Sequence, residues 1–202
     1  MEAVIVMQTV SSMGITSIVI KKSIFTAHLL PILSETDVNL ALKLAKETHP
    51  DATHYTYAYV LGADGSQFRY SDDGEPSGTA GLIIYDVLKK NHLTHVLAII
   101  IRDFGGIKLG TGGLIRAYRE ATTKVLSASQ ITPFIQIVTL SFECRYEDWP
   151  IIENRLATYQ ASDKSFADNV RCTYHIPTSS VDEVTAILRD ISKNQIKWTI
   201  HQ

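Results

Sequence analysis

The spacing of apolar and polar positions predicts an alternating series of strands and helices. Strand-like runs cover Thr16 to Lys21 and Ile24 to Leu30. A helix follows, opened by Ser34 or Thr36, in which Val38, Leu42 and Ala45 keep one apolar face as far as Pro50. A strand at His54 to Leu61 and a short one at Phe68 to Tyr70 come next, with turn residues Gly62 and Gly65 between them. Ala80 to Asn91 reads as a helix. Val96 to Ile101 is apolar without interruption, as expected of a strand covered on both faces, and it empties into a glycine-rich loop and a helix from about Leu114 to Ser129.

Ile131-Thr132-Pro133 reads as a connector, so the chain is expected to divide into domains at 1–133 and 134–202. Beyond it the order is strand (136–144), helix (147–160), strand (163–167), strand (170–176), helix (180–192), strand (195–200). This is the β-α-β-β-α-β order of a ferredoxin-like unit. Val138, Leu140, Phe142 and Cys144 share one face of the first strand, and Val170, Cys172, Tyr174 and Ile176 share one face of the third. The fold class is therefore α+β.

Composition narrows the function without naming it. With 45% apolar and 20% charged residues the chain is globular, and nineteen Lys plus Arg against twenty-one Asp plus Glu leave a formal charge of −2. No global positive field steers it to nucleic acid or anionic lipid, so polyanion binding has to be local. Glu2 and the short apolar stretch from Ala3 to Met7 lack the pattern of a secretory signal, and no apolar run reaches membrane-spanning length. A cytoplasmic protein with no membrane partner is expected.

Charge is concentrated on two loops of opposite sign. The segment 102–124 carries Arg102, Lys108, Arg116, Arg119 and Lys124 against Asp103 and Glu120, a local +3 gathered around Gly105, Gly106, Gly110, Gly112 and Gly113. Glycines let the backbone approach another surface, and a helix start with free N–H groups favours an anion there. No Gly-Lys-Ser/Thr follows the glycines, which excludes a Walker A loop. Tight strand-to-helix packing is the competing explanation. The second loop places Asp72, Asp73 and Glu75 before the Pro76 turn, with Ser77 or Thr79 as candidate helix caps. These carboxylates suit Mg²⁺ binding, neutralisation of nearby arginines, or capping of turns, and the sequence leaves the metal question open.

The stretch from Ser71 to Gly81 (Ser-Asp-Asp-Gly-Glu-Pro-Ser-Gly-Thr-Ala-Gly), followed by Arg102 to Tyr118 (Arg-Asp-Phe-Gly-Gly-Ile-Lys-Leu-Gly-Thr-Gly-Gly-Leu-Ile-Arg-Ala-Tyr), resembles the paired signature of the YigZ/IMPACT family. The Lys21-to-Phe25 entry and the His49-to-His54 segment match as well. The resemblance implies an N-terminal domain with the fold of domain 2 of ribosomal protein S-five. It also implies a C-terminal ferredoxin-like domain, the pair being similar to the fourth and fifth domains of elongation factor G. Asp103 stands where the family usually has an aromatic residue, and Tyr55 where Asn or His is common.

Smaller signals are weighed against packing. Tyr55, Tyr57 and Tyr59 share a strand face that could stack bases but equally could face the core. Cys144 and Cys172 have apolar parity and are expected to be buried free thiols. His54 is one histidine of interest among seven scattered ones, and no nucleophile is paired with a base by spacing. Two readings result. The first is a non-enzymatic, cofactor-free, translation-associated binding protein that contacts RNA, the ribosome or a protein partner through Lys108, Arg116 and Arg119, with Lys22 and Arg102 as weaker candidates. The alternative is a Mg-dependent enzyme or binding protein for a small phosphorylated ligand, held between the two loops.

Overall fold

The computed structural model describes residues 6–201, and of the apolar stretch 3–7 residues 3–5 lie outside it. The chain forms two compact units, Met1–Phe134 and Ile135–Gln202. Phe134 belongs with the first because its ring stacks on His95 at 4.1 Å.

The first unit is built on five antiparallel strands: β2 (Gly14–Ile20), β3 (Ser23–Pro31), β4 (His54–Leu61), β5 (Gln67–Ser71) and β6 (Val96–Asp103), in the order β2-β3-β6-β4-β5. The uninterrupted apolar run of β6 is explained by its central place. Ala98 and Ile100 face one core, with α2 (Gly81–Lys90) and α3 (Thr111–Ala128), while Leu97, Ile99 and Ile101 face a second core under α1 (Glu35–Thr48). The N-cap of α1 is Ser34 rather than Thr36, in a capping box with Asp37.

Two strands escape the periodic reading. β1 (Gln8–Val10) pairs antiparallel with β7 (Ile131–Pro133), the segment expected to be a connector. Each is three residues long, too short to show alternation, and they meet across most of the unit.

The second unit has α4 (Trp149–Arg155) and α5 (Val181–Ser192) on one face of a sheet of β8 (Ile137–Cys144), β9 (Gln160–Phe166), β10 (Val170–Pro177) and β11 (Trp198–His201). The sheet order β11-β8-β10-β9 completes the ferredoxin-like arrangement, and the overall class is α+β. Helix α4 stops five residues before the expected end at 160, and the residues from Gln160 become an edge strand with mostly exposed side chains. Cys144 and Cys172 are free and buried, and burial pushes their thiols up to about 11 and about 12. No helix among the described residues is long and apolar enough to cross a membrane.

Candidate functional site

Strand β6 brings the two charged loops together. Its Arg102 lies opposite His54 of β4 and Phe25 of β3, and the acidic loop after β5 folds over it. Arg102 Nη1 donates to Glu75 Oε1 at 2.6 Å, and Tyr118 of α3 donates its hydroxyl to the same oxygen at 2.7 Å. Arg102 Nη2 reaches Ser23 Oγ at 3.3 Å, the oxygen that also accepts the Gly105 N–H. The guanidinium sits 5.3 Å from the Phe25 ring centroid and 5.4 Å from that of Phe104. Side-chain exposure is 5% for Arg102 and 3% for Glu75, so this is a buried ion pair, and Arg102 Nε has no hydrogen-bond partner among the described residues. Burial first, then the bond to Glu75, pushes the Tyr118 phenol far above its ordinary value, so it serves as a fixed donor.

The acidic loop divides its carboxylates among three tasks. Asp72 accepts the N–H groups of Gly78, Ala80 and Gly81 at 2.9, 3.0 and 2.8 Å, capping α2 from upstream. Ser77 and Thr79, the caps expected from sequence, do not take that role; Thr79 Oγ1 donates to Pro76 O instead. Asp73 accepts the Tyr55 N–H at 2.6 Å, and its own carbonyl oxygen lies 2.7 Å from His54 Nδ1. Glu75 is held by Arg102. No group of three or more His, Cys, Asp or Glu suited to a metal ion occurs among the described residues.

The glycines of the basic loop also differ in purpose. A Cβ on Gly105 would fall 2.0 Å from the Lys22 carbonyl carbon, so this glycine is required by contact with the β2–β3 turn. Lys21 and Lys22 form that two-residue turn with φ of 46° and 66°, a left-handed conformation normally left to Gly or Asn. Gly110 has φ +73° and is the N-cap of α3, which has no side-chain cap and no acidic residue in its first turn. Gly106, with φ +81°, and Gly112 face open space, while a Cβ on Gly113 would touch the Leu109 side chain at 3.0 Å.

Of the predicted cations, Lys108 lies in the exposed loop and Arg116 and Arg119 on the exposed face of α3. None of the three has an ion-pair partner within 4.0 Å among the described residues. Arg102 belongs to a different class, since its charge is spent on Glu75 and the free charge of 102–124 falls from +3 to +2. The turn at Lys22 is brought against the glycine loop, adding an exposed cation there. Ser23 and Tyr118 are members of the network that composition and spacing did not single out. The available signal for Tyr118 was its place on the apolar face of α3, where a buried hydroxyl needs a partner.

Between the loops lies a cavity of about 460 Å³. His54, Glu75, Arg102 and Lys108 supply its polar wall, and Pro76, Phe104, Leu109 and Leu114 its apolar one. Gly110 and Thr111 bring the start of α3 to its edge.

The three tyrosines of β4 do not line this cavity. Tyr59 is core, and Tyr55 and Tyr57 pack against the same cluster beneath α1. Their polar ends are used locally: Tyr55 donates to the His49 carbonyl and Tyr59 to the Glu35 carboxylate. Burial and Glu35 push the Tyr59 phenol up to about 12.

Four strands of the five-stranded sheet, with the acidic and the glycine-rich basic loop held over one buried Arg–Glu pair, fall in the part of the chain matched by the Impact N-terminal domain, residues 21–126. The chain belongs to the IMPACT family. IMPACT family member YigZ of Escherichia coli (strain K12) is 32% identical over 186 residues, covering 88% of this chain and 89% of its own. IMPACT family member YvyE of Bacillus subtilis (strain 168) is 44% identical over 119 residues, 59% of this chain; the match spans 55% of that relative's own length. A crystal structure of a hypothetical protein superposes with a TM-score of 0.71 at 28% identity, over 97% of both chains.

Proposed function

We propose that the protein is a translation-associated binding protein that engages RNA phosphates, such as those of the ribosome, through the glycine-rich loop and the first turns of α3. The observation that carries this reading is the set of exposed, unpaired cations Lys108, Arg116 and Arg119 beside a helix start without an acidic cap. Among the described residues none of Asp72, Asp73 and Glu75 forms an ion pair with those cations: Asp72 and Asp73 accept backbone N–H groups and Glu75 is held by Arg102. Phosphate contacts of this type position a protein without reading sequence. The resemblance to ribosome-engaging domains supports the same direction.

The test is a salt titration of binding to purified ribosomes and to a structured RNA. Each lost phosphate contact lowers the steepness of log K against log salt by about 0.7 to 0.9, so a Lys108/Arg116/Arg119 triple Ala variant should lose roughly two to three units of slope together with affinity. Equal slopes and equal affinities for variant and wild type would sink the proposal.

A further inference from the structure

The cavity between the loops has a chemistry that phosphate contacts alone do not use. Its walls combine an apolar side with hydrogen-bonding groups that are not fully spent. Phe104 remains 46% exposed although it packs on Arg102, so an aromatic surface borders the cavity. Both hydrogen bonds that Glu75 accepts fall on Oε1, which leaves Oε2 as an acceptor. Arg102 Nε is buried and has no hydrogen-bond partner among the described residues, a donor that is costly to leave unmet. Lys108 and the uncapped start of α3 add positive charge at the edge. A bare phosphate would use that edge and leave the aromatic and apolar wall idle.

We propose that the cavity holds one nucleotide unit, its base against the wall of Phe104, Leu109 and Leu114 and its phosphate at Lys108 and the first turn of α3. A base offers the flat π-face that Phe104 can stack against and the N–H and acceptor edges that Glu75 and Arg102 can meet. The volume of about 460 Å³ lies within the range of small-molecule sites. This inference rests on the RNA-binding reading and deepens it, because a splayed-out nucleotide of an RNA chain and a free mononucleotide present the same chemistry.

The experiment uses the isotope-labelled full chain, titrated with adenosine and guanosine 5′-monophosphate, with adenosine, and with inorganic phosphate. Amide resonances of the loop Gly105–Gly113 and of His54 should move on addition of the nucleotides, which should bind at least about tenfold more tightly than inorganic phosphate. Phe104→Ala should weaken nucleotide binding about tenfold and leave phosphate binding unchanged; Phe104→Leu, which keeps apolar bulk, should show the same loss of stacking. Lys108→Ala should weaken both ligands. Nucleotides that bind no better than inorganic phosphate, or a Phe104→Ala variant that binds them as wild type does, would overturn the inference. A short oligoribonucleotide distinguishes the source. If its binding also falls with Phe104→Ala, the unit arrives as part of RNA; if only mononucleotide binding falls, the ligand is free nucleotide. Loss of RNA binding in the triple Ala variant with no nucleotide effect defeats this inference and leaves the RNA reading standing, whereas nucleotide binding with no RNA binding does the reverse.

Discussion

Replacing Arg102 by Met should unfold much of the first unit's stability while keeping its volume. Met can lie between Phe25 and Phe104 where the guanidinium lay, so the packing change is small. The electrostatic change is large. Glu75, with a side chain 3% exposed, would keep the Tyr118 hydroxyl at 2.7 Å but lose its cation at 2.6 Å. Removing one partner of a buried pair costs about 3–5 kcal/mol, because the remaining charge is neither solvated nor matched. At roughly 4 °C per kcal/mol for a unit of this size, the melting temperature should fall by about 12–20 °C. Urea unfolding followed by far-UV circular dichroism, with hydrogen exchange at the β6 amides, measures the loss. The double variant Arg102→Met/Glu75→Gln should recover most of the loss. A single-variant cost below about 1 kcal/mol, or a double variant no better than the single, would refute the account of the pair.

Two further outcomes follow from the loops and the sheet. Gly105→Ala should cost about 1–3 kcal/mol, because the added methyl meets the Lys22 backbone, whereas Gly112→Ala, facing open space in a helix, should be neutral or stabilising by up to about 1 kcal/mol; thermal melts of the two variants decide it. His28 lies buried in β3 with the His49 ring 5.8 Å away, and burial first, then His49, holds its pKa below 6.5. The fold thus carries fewer protons there than the unfolded chain. Its contribution is complete above about pH 6.5 and falls as pH drops toward the folded value, so His28→Gln should flatten the decline in urea midpoint between pH 7 and 5.5.

What could be read from the residues was whatever leaves a periodic trace. The unbroken run of β6 announced a strand covered on both sides, and the parity of Val138 to Cys144 and of Val170 to Ile176 announced the one-sided second sheet. Strands β1 and β7 left no such trace, and the helix read to 160 overran α4 because nothing in Leu156 to Tyr159 signals a stop as Pro50 does after α1. Lys108, Arg116 and Arg119 are exposed cations. Arg102 differs because its partner, Glu75, lies 27 residues upstream and meets it only through the pairing of β4 with β6. Composition counts charges but not which of them cancel, and burial decides that.

The pairing of β1 with β7 sets the first unit's entry and exit side by side, with Gln8 opposite Pro133. The pairing therefore closes the first unit on itself, and a circular permutant joining Gln8 to Pro133 through a short linker, opened in the Gly62–Gly65 turn, should retain its sheet.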